Sequence, residues 1–179
     1  MPTKKLRTFP DVKIYFSVLI TAFFILFLFN GCDDDRVFDE NQEIENGSWD
    51  QNNKKTFNID IQDSISWHTI YLNVRNAGAY PFSNLFLFVS TQSPKGLVER
   101  DTVECTLADE TGKWLGNGIG DLWDNQIGFK RMVRFPMKGI YKIQLEQAMR
   151  VNPLPYIMDV GIRVEKVKVF AQRKALLKK

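Results

Sequence analysis

His68 is the only histidine in this 179-residue chain, so any serine- or cysteine-based nucleophilic scheme has to use it. The sequence has no G-x-S-x-G elbow. His68 lies between Trp67 and Thr69 at the start of an apolar alternation, which reads as an edge-strand histidine bonded to water or backbone. A conventional zinc site lacks ligands, because Cys32 has another use and only Cys105 remains as a thiol; no metal or cofactor is expected. Cys105 stands in Val103-Glu104-Cys105-Thr106-Leu107, where apolar and polar residues alternate, and reads as a small core residue. Three carboxylate groups remain: Asp121 with Asp124, Asp109-Glu110 and Asp39-Glu40. Two carboxylates meeting in the fold would make a glycosidase pair, whereas carboxylates in turns usually accept from backbone amides in Asx-turns. Asp121 and Asp124 also lack the regular spacing of a calcium loop.

The segment from Asp109 to Asp121 holds Gly112, Gly116, Gly118 and Gly120 with Trp114 and reads as a long, shaped loop. A phosphate cradle would need those glycines between a parallel strand and a helix, and no helical run follows Asp121. The expectation is a tight turn whose backbone passes close to Trp114. Most of the large aromatics should fill a core. Trp114 and Trp123, in or beside the glycine-rich loop, are the two expected at a surface, where they would serve a protein or a sugar.

Placing these residues requires a membrane and a β-fold. Lys4, Lys5, Arg7 and Lys13 precede an uncharged apolar run of 16 residues, Ile14 to Phe29, which ends in Asn30-Gly31-Cys32. Basic, apolar and small-residue regions in that order make a signal peptide, and 16 residues fall short of the roughly 20 that a permanent membrane helix needs. Gly31-Cys32 resembles a lipobox, with Phe29 where Leu is usual, so cleavage before an acylated Cys32 is expected. Several acyl chains on one cysteine would hold the protein on a membrane essentially permanently. Residues 1 to 32 carry the whole formal charge of +3; the remainder is an acidic body of −6 and a basic stretch of +6 from Arg163 onward. One terminal basic run is not a nucleic-acid face.

The mature chain divides into a lipidated cysteine and acidic linker at 32–53, a β-sandwich domain at 54–166 and a basic amphipathic tail at 167–179. Asp33-Asp34-Asp35 would hold the domain off the surface. The sandwich rests on seven expected strands: Thr56 to Ile61, Trp67 to Asn76, Ser83 to Thr91, Arg100 to Leu107, Ile127 to Phe135, Ile140 to Glu146 and Met158 to Val164. Turn clusters such as Ser93-Pro94-Lys95-Gly96 separate them. The fold class is all-β, a jelly-roll-like antiparallel sandwich. Ile70, Leu72 and Val74 alternate with polar residues, while Leu85-Phe86-Leu87-Phe88-Val89 is apolar on both faces and should be covered on both.

Several blocks of the chain resemble the gliding motility lipoprotein family GldH of Bacteroidetes-type bacteria. They are Arg36-Val37-Phe38-Asp39-Glu40, Leu72-Asn73-Val74-Arg75-Asn76, Tyr80-Pro81-Phe82-Ser83-Asn84-Leu85-Phe86-Leu87 and Gly112-Lys113-Trp114-Leu115-Gly116 with Gly118, Gly120 and Asp121. They continue in Val133-Arg134-Phe135-Pro136, Glu146-Gln147-Ala148-Met149-Arg150 and Asp159-Val160-Gly161-Ile162-Arg163-Val164-Glu165. The resemblance implies a non-catalytic envelope lipoprotein that works beside other gliding-machinery proteins, in the outer rather than the inner membrane. Cys32 alone carries over as a functional position, and the basic extension past Glu165 departs from the family pattern. No small-molecule substrate is expected. Docking onto partners is assigned to the glycine-rich segment and the turn before it, through Trp114, Gly116, Gly118, Gly120, Asp121, Arg75 and Tyr80. The competing readings are a sugar-binding sandwich using Trp114 and Trp123, and a hydrolase using Asp121 or Asp124.

Overall fold

The computed structural model describes residues 35–168; the expected signal segment, Cys32 and the tail from residue 169 onward lie outside the described residues. The strands are β1 Arg36–Glu43, β2 Ser48–Trp49, β3 Lys55–Ile61, β4 His68–Ala77, β5 Asn84–Gln92, β6 Val98–Thr106, β7 Asn117–Ile119, β8 Leu122–Val133, β9 Gly139–Gln147, β10 Leu154–Pro155 and β11 Ile157–Lys166. A 3-10 turn at Glu45–Gly47 is the sole helical element among the described residues.

With the short β2, β7 and β10 set aside, the strands form two antiparallel sheets ordered β1-β11-β4-β8 and β3-β9-β5-β6. That is the strand order of an eight-stranded jelly roll. β7 extends the first sheet beyond β8, and β2 pairs with β10 at one margin. The core follows from alternation along each strand. Ile70, Leu72 and Val74 of β4 and Val160, Ile162 and Val164 of β11 face inward from one sheet. Phe57, Ile59 and Ile61 of β3, Leu85, Leu87 and Val89 of β5, and Tyr141, Ile143 and Leu145 of β9 face them from the other.

Residues 36–43 correct the reading of a linker over 32–53. They form β1, which pairs with β11 from Arg36↔Glu165 to Glu43↔Asp159 and supplies the strand that completes the roll. β1 lies at a sheet edge, where the outer face and the free margin both meet water, so Phe38 against Phe57 is its chief inward anchor and no apolar period develops. The strand expected at Ile127 begins five residues earlier, at Leu122, and Phe135 lies beyond its end, buried in the core. β5 also departs from expectation, because no further layer covers its outer face. Phe86 and Phe88 are half-buried there, with the Met149 sulfur 3.3 Å from the Phe86 amide and the Arg100 guanidinium 4.3 Å from the Phe88 ring centre.

The antiparallel register gives the sandwich two ends. The terminal end carries the start of β1, the end of β11 and the loops at 62–67, 93–97 and 134–138. The hairpin end carries the β7–β8 turn, the segments at 78–83 and 107–116, and β2 with β10.

Candidate functional site

Polar side chains of four neighbouring strands meet on the outer face of the first sheet. Because side chains alternate along a strand, the inward Leu72 and Val74 oblige Asn73 and Arg75 to point outward, and antiparallel pairing brings Asp124, Asp159 and Gly161 opposite them. Arg75 joins three strands: its Nε donates to Asp124 Oδ1 at 2.6 Å and its Nη1 lies 3.1 Å from Asp159 Oδ2. Burial raises the Asp159 carboxyl above the usual carboxylate range, assisted by the negative charges of Asp124 and Glu43 and opposed by Arg75. The hydrogen bond to Asp124 holds the Arg75 guanidinium more firmly protonated. A second set lies along the face, where Arg163 donates to Asp39 Oδ2 at 2.7 Å and to Glu165 Oε1 at 2.6 Å. Asn73 links the sets by donating to Asn41 Oδ1 at 3.1 Å and to Asp39 Oδ1 at 3.4 Å. Between them lies an open depression of about 330 Å³ lined by polar groups, Asn117 and Gln126 included. Exposed ion pairs stabilise a fold by about 0–1 kcal/mol, so this array adds little to stability.

The glycine-rich segment corrects the loop expectation, because it is an edge hairpin that borders this face. Asn117 pairs with Asp124, Gly118 with Trp123 and Ile119 with Leu122, and Gly120 turns the chain at φ +65°. The close approach involves Trp123, not Trp114: a Cβ on Gly118 would lie 2.7 Å from the Trp123 ring. On Gly116 it would lie 2.7 Å from the Asp124 carbonyl oxygen. The Gly78 amide donates to the Asp121 carbonyl at 2.8 Å, which ties the 78–83 turn to the hairpin.

Of the residues expected to dock partners, Arg75, Gly116, Gly118, Gly120 and Asp121 come together around the hairpin, whereas two others lie inward. Tyr80 is buried at 4% exposure and donates its hydroxyl to the Asn84 carbonyl at 3.0 Å. Trp114 is half-buried against the core, 6.5 Å from the Tyr80 ring centre. Both fasten the loop, and Trp114 is not an open stacking surface. The Asx-turn reading holds for Asp109, whose carboxylate accepts from the Thr111 and Lys113 amides and is lowered by them and by the Thr111 hydroxyl. It is corrected for Asp124 and Asp39, which lie on strands and pair with arginines. Asn41, Asn73, Asp159 and Arg163 escaped the sequence reading as site residues; for Asn73, Asp159 and Arg163 the signal was the polar partner of the apolar alternation in β4 and β11, while Asn41 lies on β1, which has none.

His68 also departs from its edge-strand reading. It opens β4, which β11 and β8 flank, and it is fully buried with its ring 5.1 Å from Phe135. Among the described residues neither ring nitrogen makes a hydrogen bond of good geometry, and burial lowers its pKa, opposed by the Asp63 charge and the Ser66 backbone. Cys105 is fully buried and its thiol is pushed up to about 12, as expected for a core residue. Among the described residues no three His, Cys, Asp or Glu side chains converge as a metal ion would require.

The fold and this face define a jelly-roll domain with a polar, charge-paired outer surface at one sheet. The chain belongs to the GldH lipoprotein family, whose model matches residues 36–164. It is 39% identical over 158 residues to a protein of Christiangramia forsetii called gliding motility lipoprotein GldH homolog, covering 84% of this chain and 96% of that one. It is 35% identical over 156 residues to the gliding motility lipoprotein GldH of Flavobacterium johnsoniae, covering 83% of this chain and 94% of that one. No solved structure matches it.

Proposed function

We propose that this chain is a membrane-anchored lipoprotein component of a bacterial gliding motility machinery, held in the cell envelope by acyl chains on Cys32. The observation that carries the reading is the family match over 36–164, with relatives named as gliding motility lipoproteins along nearly their whole length. The outer membrane is the favoured site. The domain acts by binding other envelope proteins of the machinery, without catalysis. Its docking surface is the hairpin end, where Asp121 and the Gly116, Gly118 and Gly120 backbone border the Arg75–Asp124–Asp159 array, with Trp114 and Tyr80 fixing the loop from beneath.

A surface of this kind supplies register and charge complementarity more than apolar area. Proteins co-purified from detergent-solubilised envelopes test it with Arg75→Glu, which places three carboxylates together. The variant should fold and lose partners that the unaltered protein retains. An unchanged set of partners, with an unchanged melting temperature, overturns the docking surface.

A further inference from the structure

The terminal end differs in chemistry from the polar face. Ile65 at 80% exposure, Leu97 at 71%, Val98 at 61% and Ile140 at 60% are the most exposed large apolar residues there, and each stands at a loop tip or strand start. The loops that carry them form one connected surface. The Arg134 guanidinium lies 4.1 Å from the Trp67 ring centre, and a Cβ on Gly139 would lie 3.1 Å from Pro94. Both ends of the described chain join this surface: the Lys166 amide donates to the Asp35 carbonyl at 2.7 Å and the Val167 amide to the Trp67 carbonyl at 2.8 Å.

Most carboxylates at this end are already matched by a cation; Asp60, which stands opposite Ile140, instead accepts from Gln62 Nε2 at 2.7 Å. Asp35 pairs with Lys168, Asp63 with Lys166 at 3.2 Å, and Glu99 and Asp101 both pair with Lys130. Lys95 and Lys138 are exposed and make no ion pair among the described residues. Beyond Lys168 the sequence adds Arg173, Lys174, Lys178 and Lys179 among Phe170, Leu176 and Leu177. Exposed aliphatic tips, a tryptophan and unmatched cations together are the composition that lies at a membrane–water boundary.

We propose that the terminal end of the sandwich is a membrane-contacting surface, seated on the same bilayer that holds the lipid anchor, with Ile65, Leu97, Val98 and Ile140 entering the boundary region and Lys95 and Lys138 meeting anionic headgroups. It rests on the reading that Cys32 is acylated. Three residue steps separate Cys32 from Asp35, about 11 Å at full extension, so an acylated cysteine keeps this end beside the headgroups. The Asp33-Asp34-Asp35 segment is too short to act as the spacer its charge suggests, and Asp35 is neutralised by Lys168.

The test uses the protein purified with its native N-terminus and reconstituted into vesicles of phosphatidylethanolamine and phosphatidylglycerol. Nitroxide labels are placed through Ile65→Cys, Leu97→Cys and, at the hairpin end, Leu115→Cys; buried Cys105 does not take the label. Labels at 65 and 97 should gain collisions with oxygen and lose collisions with an aqueous nickel chelate severalfold, relative to the label at 115. Equal nickel access at all three positions overturns the proposal, as does shielding that requires a co-purified protein. In phosphatidylcholine vesicles the shielding should weaken, and equal shielding overturns the contact assigned to Lys95 and Lys138. Intact mass of the same preparation separates the failures. Exposed labels on an acylated chain reject the contact surface alone, whereas a chain without added mass rejects the anchor.

Discussion

The two ends of the sandwich handle buried polar groups in opposite ways. At the hairpin end Asn125 is buried and donates to Asn76 Oδ1 at 2.9 Å and to the carbonyls of Val74 and Trp123, so β4 and β8 are joined by a satisfied side-chain pair. At the terminal end His68 is buried against Phe135 with neither nitrogen in a hydrogen bond of good geometry among the described residues. The surfaces also differ: Arg75 joins Asp124 and Asp159 beside the hairpin, while the terminal end, with ion pairs of its own, carries the four most exposed large aliphatic side chains among the described residues, Ile65, Leu97, Val98 and Ile140. A single core thus supports one end whose strands are joined through polar side chains and another that presents the larger aliphatic tips.

Breaking the hairpin-end pair should have the largest effect on stability. Asn125→Ala leaves the buried Asn76 carbonyl oxygen without its donor, a loss of about 1–3 kcal/mol. Urea unfolding should show that loss equally at pH 5.5 and pH 7.5, because neither amide titrates. A loss that depends on pH would contradict the assignment.

The terminal end should respond to pH instead. Burial lowers the folded-state pKa of His68 below the ordinary value of 6.5, so protonation favours the unfolded chain. His68 therefore imposes no cost above pH 6.5, and stability is lost as pH falls from there toward the lowered folded value. Melting temperatures from pH 7.5 to 5 should fall less steeply in His68→Phe than in the unaltered chain. Identical slopes would show that the imidazole is not kept neutral. Smallest of all should be the effect of Arg75→Gln on folding, since the Arg75 side chain is 39% exposed and exposed pairs are worth little as stability, whereas the charge reversal to Glu costs more because it sets a like charge beside the half-buried Asp159.

Much of this division was legible in the sequence, and the remainder fails for identifiable reasons. β3, β4, β5, β9 and β11 show themselves because each buries a continuous apolar face, whereas β6 and β8, with one buried position each, show themselves as runs between turn clusters. β1 does not, since an edge strand with one chief inward aromatic has no period to display. The glycine-rich segment announces a shaped backbone but not a hairpin, because β7 spans only Asn117–Ile119 and Gly118 contributes no side chain. Trp114 and Trp123 look alike as loop aromatics; pairing of β7 with β8 places one over Gly118, and the bridge of Ala108 with Trp114 turns the other toward the core. Asn73, Arg75, Asp159 and Arg163 are visible as polar positions, but only strand order makes neighbours of residues so far apart along the chain. Nothing in the sequence singles out Ile65 and Leu97; register brings both to the end where the described chain enters and leaves.

All of these roles assume that the domain is tethered through Cys32. Intact mass of the protein purified from its native envelope measures that directly. The account predicts a chain that begins at Cys32 and carries the added mass of acyl groups, whereas a full-length chain with residues 1–31 retained, or a cleaved chain with no added mass, would contradict it.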